Sequence, residues 1–125
     1  MGLLQAYHGT YCSAESASSK IDAEAIIAGC NAVDSEAAHI TEYANLLSQS
    51  GSNLSERVLS ANGVTMEGKV DEYCTDIKSV ETYILNSTAQ IREAAEAVYN
   101  QIQDQMNQEA YAKDEYEYNR RRNGG

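Results

Sequence analysis

From Cys12 to Leu47 the apolar and small residues return in alternating steps of four and three: Cys12, Ser16, Ser19, Ala23, Ile26, Cys30, Val33, Ala37, Ile40, Ala44, Leu47. That alternation is a heptad seam, the pattern of a helix that buries one narrow stripe. One position of each heptad carries mostly larger residues. The other is always small: Ser16, Ala23, Cys30, Ala37, Ala44. Small side chains let a second helix come close. Proline, the residue that most often interrupts helices, is absent from all 125 residues, so nothing forces an early end. No period-two alternation occurs, and no strand is expected.

A second seam follows: Val70, Tyr73, Ile77, Val80, Ile84, Ser87, Ile91, Ala94, Val98, then one extra step to Ile102, Met106 and Ala110. Such an insertion is a stutter, which locally unwinds a supercoil. Between the seams, Ser48 to Asn53 breaks the pattern, with Gly51 as a C-cap and Asn62-Gly63 as a turn. The expected fold is all-α, an antiparallel hairpin of two long helices. Helix one is expected at about 5–50, a short helix or turn carrying Leu54, Val58 and Leu59 at 51–65, and helix two at 66–118 with Thr65 as N-cap. All lie in one domain over 1–119, with a basic and glycine tail at 120–125.

Apolar residues also lie off the two seams, at Ile21, Ile27, Tyr43, Leu46, Tyr83, Leu85 and Tyr99. A lone hairpin cannot cover so many, which implies a helical partner, either a second copy or a different chain. The candidate partner-binding seam is Ile26, Val33, Ile40 and Leu47 on helix one with Ile77, Ile84, Ile91 and Val98 on helix two.

The formal charge of −10, from 19 acidic and 9 basic residues, argues against nucleic acid and anionic membranes as partners. The basic run Arg120–Arg122 reads as a helix end favoured by the macrodipole. No apolar run approaches the ~20 residues of a membrane span, and the N-terminus lacks the pattern of a secretory signal. The chain is expected to be made in the cytoplasm and, if exported, to leave without such a signal.

No catalytic, cofactor or metal constellation stands out, and an enzyme is not expected. His8 and His39 have no partners at ligand spacing. Glu36-Ala37-Ala38-His39 fits the Glu-x-x-His pattern of di-iron bundles once, where two copies are needed. Cys12, Cys30 and Cys74 are an odd count without C-x-x-C spacing and read as small core residues. On one helix, Cys12 and Cys30 would share a face yet stand too far apart to bridge.

Two short motifs remain. Tyr111 and Glu115 form Y-x-x-x-E, which on a helix sets a ring beside a carboxylate. Met66-Glu67-Gly68 lies where helix two is expected to begin. Together with the small, acidic helical hairpin, these motifs resemble the WXG superfamily of type VII secretion substrates, most closely the small helical proteins that accompany LXG toxins in Gram-positive bacteria. By that resemblance Met66 takes the place of the motif tryptophan and Gly68 that of the motif glycine, which would let the turn or a partner helix press on the backbone. The resemblance implies a non-enzymatic targeting partner or chaperone that binds a toxin's N-terminal helical domain. Tyr111 and Glu115 would supply part of a C-terminal export signal, and the protein would be secreted. The alternative is a self-assembling structural protein, a filament or spacer subunit.

Overall fold

The computed structural model describes residues 2–57 and 61–124. Its elements are α1, Ala17–Glu56, and α2, Ala61–Asn123. The described chain contains no strand, only an isolated antiparallel bridge between His8 and Ser13. The two helices pack as an antiparallel hairpin. By contacts the chain divides into two compact units, residues 29–90 and residues 1–28 with 91–125.

In the 29–90 unit, α1 and α2 run in opposite directions. Asp34 meets Thr88, Ala44 meets Cys74, Ser48 meets Asp71 and Ser55 meets Glu67, so the partner falls as the α1 number climbs. The contact is built on small residues. Cys30, Ala37 and Ala44 are buried, and Gly51 continues the same seven-residue row. A Cβ on Gly51 would lie 3.2 Å from Val70 Cγ1. Gly51 is therefore not a cap. It is a helical residue packed against the Val70 side chain of α2.

On α2 the buried line runs through Cys74 and Thr88, one residue beyond the expected Tyr73 and Ser87. Helices drawn together by Ala, Cys and Gly leave no room for large side chains between them, so the large residues flank the contact. The Cys74 thiol donates to the Ala44 carbonyl at 3.1 Å, and the Ser48 and Ser55 hydroxyls donate to Asp71 and Glu67 at 3.1 and 2.8 Å. Among the described residues no buried side-chain nitrogen or oxygen lacks a hydrogen-bond partner, as burial demands.

In the other unit the sequence reading is corrected more strongly. Helix one does not begin near residue 5. It begins at Ala17, with Ser16 in the cap position and its carbonyl accepting the first helical bond from Lys20. Residues 2–14 form instead a non-helical arm along α2. Cys12 therefore lies off α1, and helical geometry does not relate it to Cys30. All three cysteines are free. Ala23 is buried against α2, where Tyr99, Gln103 and Ala110 are buried too.

Helix two also exceeds its expected bounds at both ends. Asn62-Gly63 and Thr65 are helical, Thr65 donating back to the Ala61 carbonyl at 2.9 Å. Of the expected tail at 120–125, residues 120–123 are the last turn of α2. There Arg120 and Arg121 reach Glu117 at 2.9 and 3.7 Å. The expected separate segment at 51–65 is divided between the two helices, and its Val58 and Leu59 lie outside the described residues.

Candidate functional site

Two features of the surface carry chemistry: a set of exposed apolar rows and the dock of the N-terminal arm.

The residues of the candidate partner seam are surface residues. In the 29–90 unit Val33 and Leu47 are about half exposed, Ile40, Ile77 and Ile84 are partly buried, and Leu54 continues the α1 row at 55 % exposure. Val33, Ile40, Tyr43 and Ile84 line a groove of about 560 Å³. In the other unit Ile26, Ile91 and Val98 are about half exposed. With Ala23, Tyr99 and Ile102 they line a second groove, of about 430 Å³. Each α1 member stands three residues after a buried small residue, so the rows border the closed contact. Off these rows, Ile21, Tyr43, Leu46, Tyr83 and Leu85 are exposed, whereas Tyr99 is buried.

Seven-residue spacing also organises the dock, with polar residues. The Asn100 side chain accepts from the Leu4 N–H at 2.7 Å and donates to the Gly2 carbonyl at 3.2 Å. Asn107 does the same one step on, accepting from the Tyr7 N–H at 2.8 Å and donating to the Gln5 carbonyl at 3.0 Å. Each amide thus pairs with a carbonyl and the N–H two residues later, as a neighbouring strand would. The register follows from geometry. Seven helical residues advance ~10.5 Å, and three extended residues advance about 10 Å. Gln103, fully buried, lies between. It donates to the Ala14 carbonyl at 2.9 Å and to Asn107 at 2.7 Å, and accepts from the Tyr99 hydroxyl at 3.2 Å.

One further step of seven brings Asp114. Its carboxylate accepts from the Tyr11 N–H at 2.5 Å, the Cys12 N–H at 3.1 Å and the Tyr7 hydroxyl at 2.9 Å. Donation by the Tyr11 N–H, with lesser help from the Tyr7 hydroxyl and the Cys12 and Thr10 N–H groups, outweighs desolvation and holds this carboxyl below its ordinary value. The same bond to Asp114, with desolvation, pushes the Tyr7 hydroxyl up. The arm turns tightly here, Gly9 N–H donating to the Cys12 carbonyl at 2.8 Å and Ala14 N–H to the Tyr7 carbonyl at 2.9 Å. A Cβ on Gly9 would stand 2.6 Å from the Asp114 carboxyl carbon.

Tyr111 and Glu115 are both exposed, one turn apart within α2. Tyr111 meets Tyr7 edge-on, ring centroids 5.8 Å apart. Met66 is partly buried and Gly68 exposed, inside the early turns of α2 rather than at its start. No atom of this chain lies within 4 Å of a Cβ built on Gly68, so the turn does not press on it; the tight approach within the chain is at Gly51.

Among the described residues no group of three or more His, Cys, Asp or Glu side chains could hold a metal. His39 pairs with Glu42 at 3.1 Å on the open face of α1. His8 and Ser13 approach to 3.3 Å across the exposed bridge of the arm. Among the described residues no helix is long and apolar enough to cross a membrane.

Sequence reasoning did not find Asn100, Gln103, Asn107 or Asp114. The available signal was polar residues at seven-residue spacing, Asn100, Asn107 and Asp114, beside otherwise apolar seam positions.

Comparison with protein families, with curated proteins and with solved structures finds no match to this chain.

Proposed function

We propose that this protein is a non-enzymatic partner in type VII secretion, one that binds the N-terminal helical domain of an LXG-type toxin and contributes Tyr111 and Glu115 to its export signal. The observation that carries the reading is the half-exposed apolar row of α1 in the 29–90 unit, Val33, Leu47 and Leu54 with the partly buried Ile40, at strict seven-residue steps beside a contact already closed by small residues. A row of that period fits an amphipathic helix of another chain, whose own apolar residues would fill the grooves. The charge of −10 favours a partner with basic flanks. Tyr111 and Glu115 face solvent side by side, as a composite signal requires. Met66 and Gly68 add little support, because they occupy no turn.

The test is co-expression with an LXG toxin leader. Val33→Glu with Leu47→Glu should abolish co-purification while helicity is kept. Glu115→Ala should block export and leave binding intact. Glu115 makes the cleaner substitution, because Tyr111 also touches Tyr7. The same rows would suit a self-assembling protein. Ordered homo-oligomers of the purified chain that ignore the toxin leader would favour that reading instead.

A further inference from the structure

We propose that the face of α2 carrying Asn100, Asn107, Tyr111 and Asp114 is a reader of extended main chain with a preference for Tyr-x-Gly, and that residues 2–14 are its resting occupant, a releasable latch over Tyr111. The latch is argued from geometry alone; its consequence for export rests on the reading of Tyr111 given above.

Three observations carry it. First, the rail reads backbone. Asn100 and Asn107 each spend a donor and an acceptor on main-chain groups of the arm, so these contacts are independent of the arm's side chains. Second, the end of the rail reads side chains. Tyr7 gives its hydroxyl to Asp114 and its ring to Tyr111, and Gly9 is the residue whose missing Cβ lets the carboxylate lie against the turn. Arg121 closes the tip, its guanidinium 4.6 Å from the centre of the Tyr11 ring. Third, the outer part of the arm is held by hydrogen bonds at the surface, while the buried Ala14, bonded to Gln103, anchors its inner end. Leu4, Gln5, His8, Thr10 and Tyr11 are exposed. A segment with little apolar burial and solvent-facing bonds opens locally before the rest of a fold does.

Opening has a definite result. Tyr111 loses the Tyr7 ring, and the rail's donors and acceptors become free for another extended segment bearing Tyr-x-Gly. Tyr111 is 57 % exposed with the arm docked, so opening does not uncover the Tyr111–Glu115 face as a whole; it frees the part of the Tyr111 ring that Tyr7 covers and the rail beside it.

Gly9→Val in the full chain tests this, since its side chain would press on both Asp114 and the Tyr7 ring and so force the turn off the end of the rail. The expected result is at least a tenfold faster reaction of Cys12 with a thiol reagent. Amide protection should be lost at Leu4, Tyr7, Tyr11 and Cys12. Cys30 and Cys74, buried on the helices, should keep their rates, and the helical circular dichroism should not change. Retained protection of the arm overturns the latch. So does labelling of Cys30 and Cys74 in step with Cys12, which would make the arm part of the cooperative core. A synthetic peptide of residues 2–14 should then bind the Gly9→Val chain, and the same peptide with valine at position 9 should bind at least tenfold more weakly. Equal binding of the two, or binding of neither, overturns the reader. These readouts need no secretion system, so a failed export test leaves them standing, and their failure leaves the export test standing.

Discussion

The α1–α2 contact of residues 29–90 and the arm's dock on α2 use the same seven-residue step for opposite chemistry. In the first, Cys30, Ala37, Ala44 and Gly51 bring two helices together by having almost no side chain. In the second, Asn100, Asn107 and Asp114 reach out and bind a backbone that has no helix of its own to satisfy it. The first is closed chiefly by shape, with hydrogen bonds such as Cys74 to Ala44 beside it, and the second chiefly by hydrogen bonds. Shape fails when something is added, whereas hydrogen bonding fails when a partner is removed or protonated. The difference gives each region its own mode of failure.

The largest effect should come from adding bulk to the closed contact. Ala37 and Ala44 are each 1 % exposed. Ala44→Leu should destabilise the protein by about 3 kcal/mol, the upper part of the usual cost of overpacking. Chemical denaturation followed by circular dichroism would measure it. A loss below about 1 kcal/mol would mean that the helices separate easily and that shape is not what closes them.

Next comes removal of a partner from the dock. Gln103→Leu keeps the volume but strands the Ala14 carbonyl and the Tyr99 hydroxyl, both at buried residues. The cost should be about 2 kcal/mol, the penalty of leaving such groups unpaired, read in the same denaturation experiment. Gln103→Glu should also destabilise, because it loses both donated bonds. If Gln103→Leu were neutral, the dock would be held by packing, and its contrast with the α1–α2 contact would disappear.

The two regions also differ in how they appear in the sequence. The hairpin was legible, because a 4-3 repeat of Ala, Cys, Ile and Val names a helix and its buried stripe together. The choice of row was less legible. Large residues were expected at the centre of the α2 contact, and Cys74 and Thr88 took that place because small α1 residues set the spacing. The arm was not legible. Cys12 continues the α1 repeat in phase, and nothing local marks Ser16 as the start of the helix until Asn100 and Asn107, about ninety positions away, supply partners for an extended chain. Gly68 shows the same limit from the other side. A glycine at a motif-like position faces open space, while the glycine that packing requires, Gly51, looked like a cap.

That pair of glycines gives a smaller and opposite effect. Gly68→Ala should stabilise the protein by about 1 kcal/mol, the difference between glycine and alanine in a helix, since the new methyl meets nothing. Gly51→Ala should gain less, because its methyl presses on Val70 at 3.2 Å. Thermal unfolding of the two variants would rank them. The reverse order would place the tight contact at Gly68, as the motif resemblance implies, and would move the seam.

The smallest effect on the whole molecule should be acid release of the arm, and it most sharply separates the two regions. The Asp114 carboxyl is held below its ordinary value of 3.8, chiefly by the Tyr11 N–H. A group whose pKa is lower in the folded state stabilises that state above its unfolded value, and the contribution fades as pH falls through the folded one. The dock should therefore be intact at neutral pH and loosen as pH drops below about 3.8. The carboxylate then gains a proton and can no longer accept all its bonds. Tyr7 works from the alkaline side. Its pKa is raised from 10.0 by the bond to Asp114, so its contribution is present below that value and is lost as pH climbs through the higher folded one. The α1–α2 contact has carboxylate acceptors too, Asp34, Asp71 and Glu67, but each takes a side-chain hydroxyl, whereas Asp114 holds the backbone N–H groups of the arm. Amide exchange across a pH series, corrected for intrinsic rates, should show Tyr11 and Cys12 losing protection in acid earlier than Cys74. Asp114→Asn should remove that early loss, because asparagine does not titrate. If Tyr11 and Cys74 lost protection together in both proteins, the arm and the hairpin would be one cooperative structure, and the contrast between shape and hydrogen bonding would not extend to their stability.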